Sequence, residues 1–331
     1  MPEPPPWGEL LSTIISNPAE RDRIANEIGV HHITLTRWIT GESRPRPQNL
    51  RQLLHALPKH QRDQLLALME DDLPGLPALS AQVMDDSLFE IAYTFIMEVL
   101  DTRATLSDML RFWAINRLVL QQALRQLDPE RVGMAITVVR CMPPGSDGKI
   151  HSLRENIGRG TPPWEGDLDQ KAMFLGAESL AGYVVTSCRP EAIGDLTKDR
   201  TLLPAYQSEH EVSAAAHPIM FAGRVAGCLL LSSTQPNYFL SQSRLALIGG
   251  FANLIALAFE PEEFYKPELI ELRVIPPLEV QRSHFARFRQ RVNRLLREFT
   301  TTEHPLTNTQ AEQLVWQELE EILLQLPPQT T

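Results

Sequence analysis

Residues 212–239, VSAAAHPIMFAGRVAGCLLLSSTQPNYF, hold two apolar runs that meet at Phe221-Ala222-Gly223-Arg224. Short apolar runs on either side of a small-residue turn read as a β-hairpin. Upstream, GMAITVVRCMPP (133–144) is β-like, and KIHSLREN (149–156) alternates well enough to be its partner strand across Pro-Pro-Gly-Ser-Asp-Gly. Downstream, SQSRLALIGGFANLIALAFE (241–260) has the periodicity of an amphipathic helix, with Ser241 placed to cap it. Between the two strand pairs lies FLGAESLAGYVVTSCRPEAIGDLTKDRTLL (174–203).

Two apolar-striped helices precede the strands. The first covers SLFEIAYTFIMEVLDT (87–102). The second runs to Leu127 from a cap at Thr105 or Ser107. Met109, Leu110, Trp113, Leu118, Leu120 and Leu124 are more apolar than one buried face requires, so part of this surface is expected to meet another subunit.

Residues of about 101–260 resemble a GAF domain, a small sensor fold with a central antiparallel sheet and flanking helices. The resemblance rests on Glu178-Ser179-Leu180-Ala181-Gly182-Tyr183-Val184, then Ile193-Gly194-Asp195-Leu196. It continues in Ala216-His217-Pro218-Ile219 followed by Gly223, Gly227, Leu229 and Leu231. The segment 156–172 is longer and richer in Pro and Gly than the family's usual connection. The family binds small ligands on the sheet face roofed by the loop and helix after Leu180–Val185. This implies ligand-facing roles for Arg189, Asp195, Lys198, Arg200, Tyr206 and His210, with Arg140 and Arg154 near strand ends. Arginine- and lysine-rich surroundings suit a small anionic metabolite; the other reading is solvated loop charges on a domain that only dimerises. No cofactor is required, and its identity is open.

A second unit lies at the N-terminus. In ERDRIANEIGVHHITLTRWIT (20–40), Ile24, Ala25 and Ile28 recur at helical spacing, and Gly29 supplies a sharp turn. Leu35, Trp38 and Ile39 form the inward stripe of the next helix, which Gly41 stops. The pattern resembles the helix-turn-helix of the lambda-repressor/Cro type. Ala25 stands at that family's small position, Gly29 at its turn, and Leu35 and Trp38 at its packing positions. GESRPRPQNLRQLLHAL follows as its next helix and entry. The resemblance implies that His31, His32, Ile33, Thr34, Thr36, Arg37, Arg44 and Arg46 contact DNA. Between Arg21 and Arg62, Arg and Lys outnumber Asp and Glu, although the 331-residue chain carries a net charge of −10. A basic module on an acidic protein is the footprint of local phosphate contact.

The three cysteines, Cys141, Cys188 and Cys228, are widely spaced. They fit a reducing cytoplasm rather than a disulfide framework. MPEPPPW lacks the features of a signal peptide, and no apolar run is long enough to span a bilayer, so no membrane partner is expected. No phosphate-cradling glycine loop, H-E-x-x-H or nucleophile elbow is present, and the histidines show no ligand spacing, so neither catalysis nor a metal site is expected.

After Pro261, QRSHFARFRQRVNRLLREF reads as a helix with Phe285, Phe288, Val292, Leu295, Leu296 and Phe299 on one stripe. TQAEQLVWQELEEILLQL reads as its acidic partner. One reading is an antiparallel pair with opposite charges facing. The other is that the arginines contact DNA or a second protein.

The expected architecture is α+β and multidomain. It comprises an all-α helix-turn-helix domain (7–72), a linker (73–84), a GAF-like domain with N-terminal helices (85–260) and a C-terminal helical hairpin (261–331). The expected function is a cytoplasmic, homodimeric, sequence-specific transcription regulator that binds a double-stranded operator, with repression as its commoner mode and a small-molecule effector as an option. The alternatives are a protein-interaction adaptor without DNA binding, and a thiol-dependent redox sensor or GAF-type reductase.

Overall fold

The computed structural model describes residues 5–69, 90–168, 173–198, 210–299 and 306–326. The chain forms two compact units, Met1–Glu90 and Ile91–Thr331. The expected linker at 73–84 and the start of the helix expected from 87 lie outside the described residues.

The first unit is five helices: α1 (Pro6–Ile14), α2 (Pro18–Ile28), α3 (His32–Ile39), α4 (Pro47–Ala56) and α5 (Lys59–Met69). Asn17 caps α2, its side chain accepting from the Ala19 N–H at 3.0 Å. Gly29 ends α2 in the left-handed conformation at φ 71°. The turn is closed by Val30 N–H donating to the Ala25 carbonyl at 2.9 Å. A side chain at Gly29 would be strained there.

Helix α3 has only eight residues, fewer than an isolated helix needs to persist in water. It is held by tertiary packing. Leu35 and Trp38 sit in a core with Trp7, Leu11, Ile24, Ala25, Leu53, Leu54 and Leu65. Burial of each leucine or isoleucine here stabilises by about 1.5–3 kcal/mol.

The second unit is built on a six-stranded antiparallel sheet in the order β3-β2-β1-β6-β5-β4. The strands are β1 (Met134–Cys141), β2 (Leu153–Gly160), β3 (Phe174–Leu175), β4 (Glu191–Ile193), β5 (Ser213–Phe221) and β6 (Arg224–Ser233). The β5–β6 hairpin turns on Ala222 and Gly223, both at positive φ (49° and 75°), the geometry of a tight two-residue connection. Register shifts between Val138 and Val139, and between Ile219 and Met220, mark two bulges.

Side chains alternate across the sheet. One face carries Ile136, Val138, Leu229 and Leu231 and is covered by α7 (Asp108–Leu127) and α9 (Gln242–Ala256). The other carries Val139, Cys141, Leu153, Ala214, Ala216 and Cys228. It is covered by Leu180, Ala181, Val184 and Val185 of α8 (Leu180–Ser187) and by Ile270. Helix α6 (Tyr93–Thr105) packs on α7. Apolar residues on several sides of α9 (Leu247, Ile248, Phe251, Ala252, Leu254 and Ile255) are already buried within the chain.

The chain beyond 260 lies inside this unit. Tyr265 and Val225 exchange two backbone hydrogen bonds of 2.9 Å, and Arg273 N–H donates to the His151 carbonyl at 2.9 Å. Three helices follow: α10 (Leu278–Phe285), α11 (Phe288–Glu298) and α12 (Asn308–Leu324). The single helix expected before residue 299 is broken at Ala286–Arg287. The break lets Gln281 and Phe285 face β3 while Phe288 and Val292 face α12. Helices α11 and α12 pack together, and Arg291 pairs with Glu318 at 2.7 Å. Among the described residues, no helix is long and apolar enough to cross a membrane.

Candidate functional site

Two surfaces gather the candidate residues. The first is α3. Its inward Leu35 and Trp38 fix which side faces out, so His32, Ile33, Thr36 and Arg37 fall together on the exposed side. Ile33 is 50% exposed, high for a β-branched apolar residue beside a packed core. His31 caps the helix, its Nδ1 lying 3.4 Å from the Ile33 N–H, and its ring sits 4.1 Å from that of His32. The Thr36 hydroxyl donates to the His32 carbonyl at 3.3 Å. Arg37 approaches Glu42 only at 4.0 Å, with both side chains exposed, so this pair holds the guanidinium weakly. Thr34 is half-buried, while Arg44 and Arg46 are exposed on the segment leading to α4.

The second surface is in the sheet unit. Arg140 on β1 and Arg154 on β2 are cross-strand partners. Arg140 shares its face with Ile136 and Val138, the side covered by α7 and α9, and not with the α8 roof. Its guanidinium lies over the rings of Phe112 (4.6 Å) and Phe259 (5.3 Å) and pairs with Glu263. Arg154 lies over the Trp316 ring at 4.4 Å. Burial, with Arg140 beside it, pushes the Arg154 pKa down to about 9, which leaves it mostly protonated at neutral pH.

The roof residues stay apart from this pair. Asp195 follows β4 at the far edge of the sheet. It accepts from the Thr197 hydroxyl at 2.6 Å and N–H at 3.0 Å, and meets Lys198 at 2.9 Å. The Thr197 hydroxyl and then Lys198 hold its pKa down to about 2. Asp195 thus closes a local turn. Arg189 is exposed after α8, and His210 sets its ring edge-on to Trp164 at 6.3 Å. Arg200 and Tyr206 lie outside the described residues.

Burial raises the pKa of all three thiols: Cys141 to about 12, Cys228 well above its usual value, and Cys188 by burial and then Glu268. None is a thiolate at neutral pH, so the thiol-nucleophile reading gains no support. Glu155, on the α8 side of β2, is pushed up to about 8 by burial and then by Glu211. No group of three or more His, Cys, Asp or Glu among the described residues could hold a metal ion.

The sequence reading missed the aromatic partners of the arginine pair. Period-two counting along Ile136, Val138 and Arg140 does signal the helix-covered face. Trp316 carries no such signal, because its contact with Arg154 spans half the chain.

Residues 114–260 match the family model of the GAF domain and are a GAF domain. No curated protein matches the chain. Among solved structures, the chain is similar to the type II free methionine-R-sulfoxide reductase from Thermoplasma acidophilum at 18% identity. That match covers 47% of this chain and 99% of the other, with a TM-score of 0.34. It is similar to the GAF domain of the Acinetobacter phosphoenolpyruvate-protein phosphotransferase at 14% identity, covering 51% and 93%, with a TM-score of 0.35. It is also similar to the free methionine-R-sulfoxide reductase from Neisseria meningitidis in complex with its substrate, at 12% identity, covering 52% and 93%, with a TM-score of 0.34.

Proposed function

We propose that the protein is a sequence-specific DNA-binding transcription regulator, a repressor in its basic mode, whose GAF domain supports dimerisation and small-molecule sensing. The observation that carries this reading is the outward side of α3. A short helix is fixed from behind by Leu35 and Trp38, and its exposed side offers His32, Ile33, Thr36 and Arg37. These side chains match the chemistry of base edges in a major groove. Arg37 can donate two bonds to guanine, and Ile33 offers apolar contact to a thymine methyl. Exposed Arg44 and Arg46 suit phosphate contacts, which position a protein without reading sequence.

Dimerisation fits α6. Tyr93 (73% exposed), Met97 (37%) and Leu100 (41%) recur at i, i+4 and i+7 and form an apolar stripe. A two-fold dimer would present two copies of α3 to half-sites about one duplex turn apart, or a multiple of it.

The test is selection of bound duplexes from a random library with wild type and Arg37→Ala in parallel. A palindromic site enriched by wild type and lost by the variant is the expected result. Failure of folded, dimeric wild type to enrich any sequence, with and without added small-molecule extract, would sink the DNA reading and favour a protein-interaction adaptor.

A further inference from the structure

A cavity of about 570 Å³ opens between the β1–β2 end of the sheet, α7, the segment after α9, and α12. It shares Trp113, Arg154, Asn156, Glu312 and Trp316 with a groove of about 920 Å³ that runs along α11. Both sizes lie in the range of small-molecule sites. The site lies across the sheet from the α8 side, and the helices beyond residue 260 supply one wall.

The charges around the cavity are unevenly settled. Asp108 pairs with Arg111 at 2.9 Å. Glu260 pairs with Arg103 at 2.8 Å and also with Arg111. Glu263 pairs with Arg140. Glu312 accepts from the Asn308 side chain at 2.9 Å. Of the two arginines that line the cavity, Arg154 has no carboxylate within ion-pair distance among the described residues, and its buried Nε has no hydrogen-bond partner. Only the Trp316 ring faces its guanidinium. Arg154 is half-buried at the cavity wall, and a partly desolvated cation without a carboxylate partner invites an anion to complete it.

The walls define the rest of the ligand. Phe112, Trp113, Phe259, Tyr265 and Trp316 line the cavity around Arg154 and make its wall largely aromatic. Glu312 is the carboxylate whose field reaches Arg154, and it opposes a second negative charge on the ligand. We propose that this cavity binds a small organic monocarboxylate with a flat apolar body, its carboxylate on Arg154 and its body against Trp113 and Trp316. The guanidinium fork suits a carboxylate in two-point geometry, and an aromatic wall suits a planar group. The assignment does not rest on DNA binding, since it can be measured on the protein alone.

Titration calorimetry of the full chain with indole-3-acetate, phenylacetate and the neutral phenylacetamide tests it. The two carboxylates are expected to bind with Kd below about 1 mM, and the amide at least about tenfold more weakly. Arg154→Gln is expected to lose about tenfold or more in carboxylate affinity while Tm holds or rises, because the substitution removes an unsettled charge. Arg154→Lys keeps the charge but not the fork and should fall between. Trp113→Ala, on a half-exposed side chain that the fold does not need, should weaken binding severalfold. No carboxylate binding by folded wild type, equal binding of amide and acid, wild-type affinity in Arg154→Gln, or a sharply lowered Tm in that variant would each overturn the proposal.

Discussion

The side-chain amide of Gln281 completes the backbone hydrogen bonds of Phe174. Its Oε1 accepts from the Phe174 N–H at 2.8 Å, and its Nε2 donates to the Phe174 carbonyl at 2.9 Å and to the Pro276 carbonyl at 2.8 Å. Strand β3 is the last strand on its side of the sheet, so Gln281 stands where another strand would. Gln281→Leu leaves a buried donor and acceptor unsatisfied and should cost about 2–4 kcal/mol. Gln281→Glu keeps the acceptor and loses the donor, so it should fall between. Urea unfolding curves of the two variants check the order; equal stability of Leu and wild type would refute the pairing role.

Trp38 and Arg37 are neighbours in the chain with opposite expected roles. Trp38→Ala empties the core beneath α3 and should destabilise the N-terminal unit by about 3–5 kcal/mol. Arg37→Ala removes an exposed side chain and should move stability by less than about 0.5 kcal/mol while abolishing sequence selection. Circular-dichroism melts beside the duplex selection separate the two. Loss of fold in Arg37→Ala would contradict the surface placement of that side chain.

Glu155 gives stability a pH dependence with a defined sign. Its pKa lies near the usual carboxylate value in the unfolded chain and at about 8 in the folded one. Below pH 4.5 both states are protonated. Between about 4.5 and 8 the unfolded state releases its proton and the folded state holds it, so stability falls as pH rises and levels off above 8. Glu155→Gln should remove this slope, matching wild type near pH 4 and exceeding it near pH 8.5 by an amount on the order of a kcal/mol or more. Denaturation midpoints measured across pH would show parallel profiles if the carboxyl were ordinary.

The thiols should differ by access. Cys188 is partly exposed, whereas Cys141 and Cys228 are buried. With all three pKa values raised, iodoacetamide at neutral pH should modify Cys188 slowly and the other two only on unfolding. Peptide mapping over time reads the order. Rapid modification of Cys141 or Cys228 in folded protein would contradict their burial and revive the thiol reading.

The α6 stripe predicts assembly state. Leu100→Glu places a charge among exposed apolar side chains without touching the core, where Phe95 and Val99 face inward. Sedimentation should find wild type dimeric and the variant shifted to monomer, with an unchanged melting temperature. A monomeric wild type would remove the stripe from the account.

What the sequence disclosed follows from the range of the forces involved. The β5–β6 hairpin was legible because Ala222-Gly223 and its flanking apolar runs act within twenty residues. The inward side of α3 was legible because Leu35 and Trp38 recur at helical spacing. The turn at Asp195 is local too, since Thr197 stands two residues on and Lys198 three. The setting of Arg154 was not legible, because its partner ring comes from α12 and nothing local announces that contact. The break at Ala286–Arg287 was hidden for the same reason: the residues there suit a helix, and the turn answers to β3 and α12 together.

The docking of α10 to α12 on β3 sets the order in which this protein can be made. Phe174 leaves the ribosome more than a hundred residues before Gln281, and Trp316 emerges later still. Until then the growing chain carries an open strand edge and an unroofed aromatic cluster, the features that nascent-chain chaperones grip. The sheet unit therefore completes its folding only after Trp316 has been made, and a nonsense codon between Phe174 and Trp316 would yield a sticky, unfinished domain rather than a smaller working one.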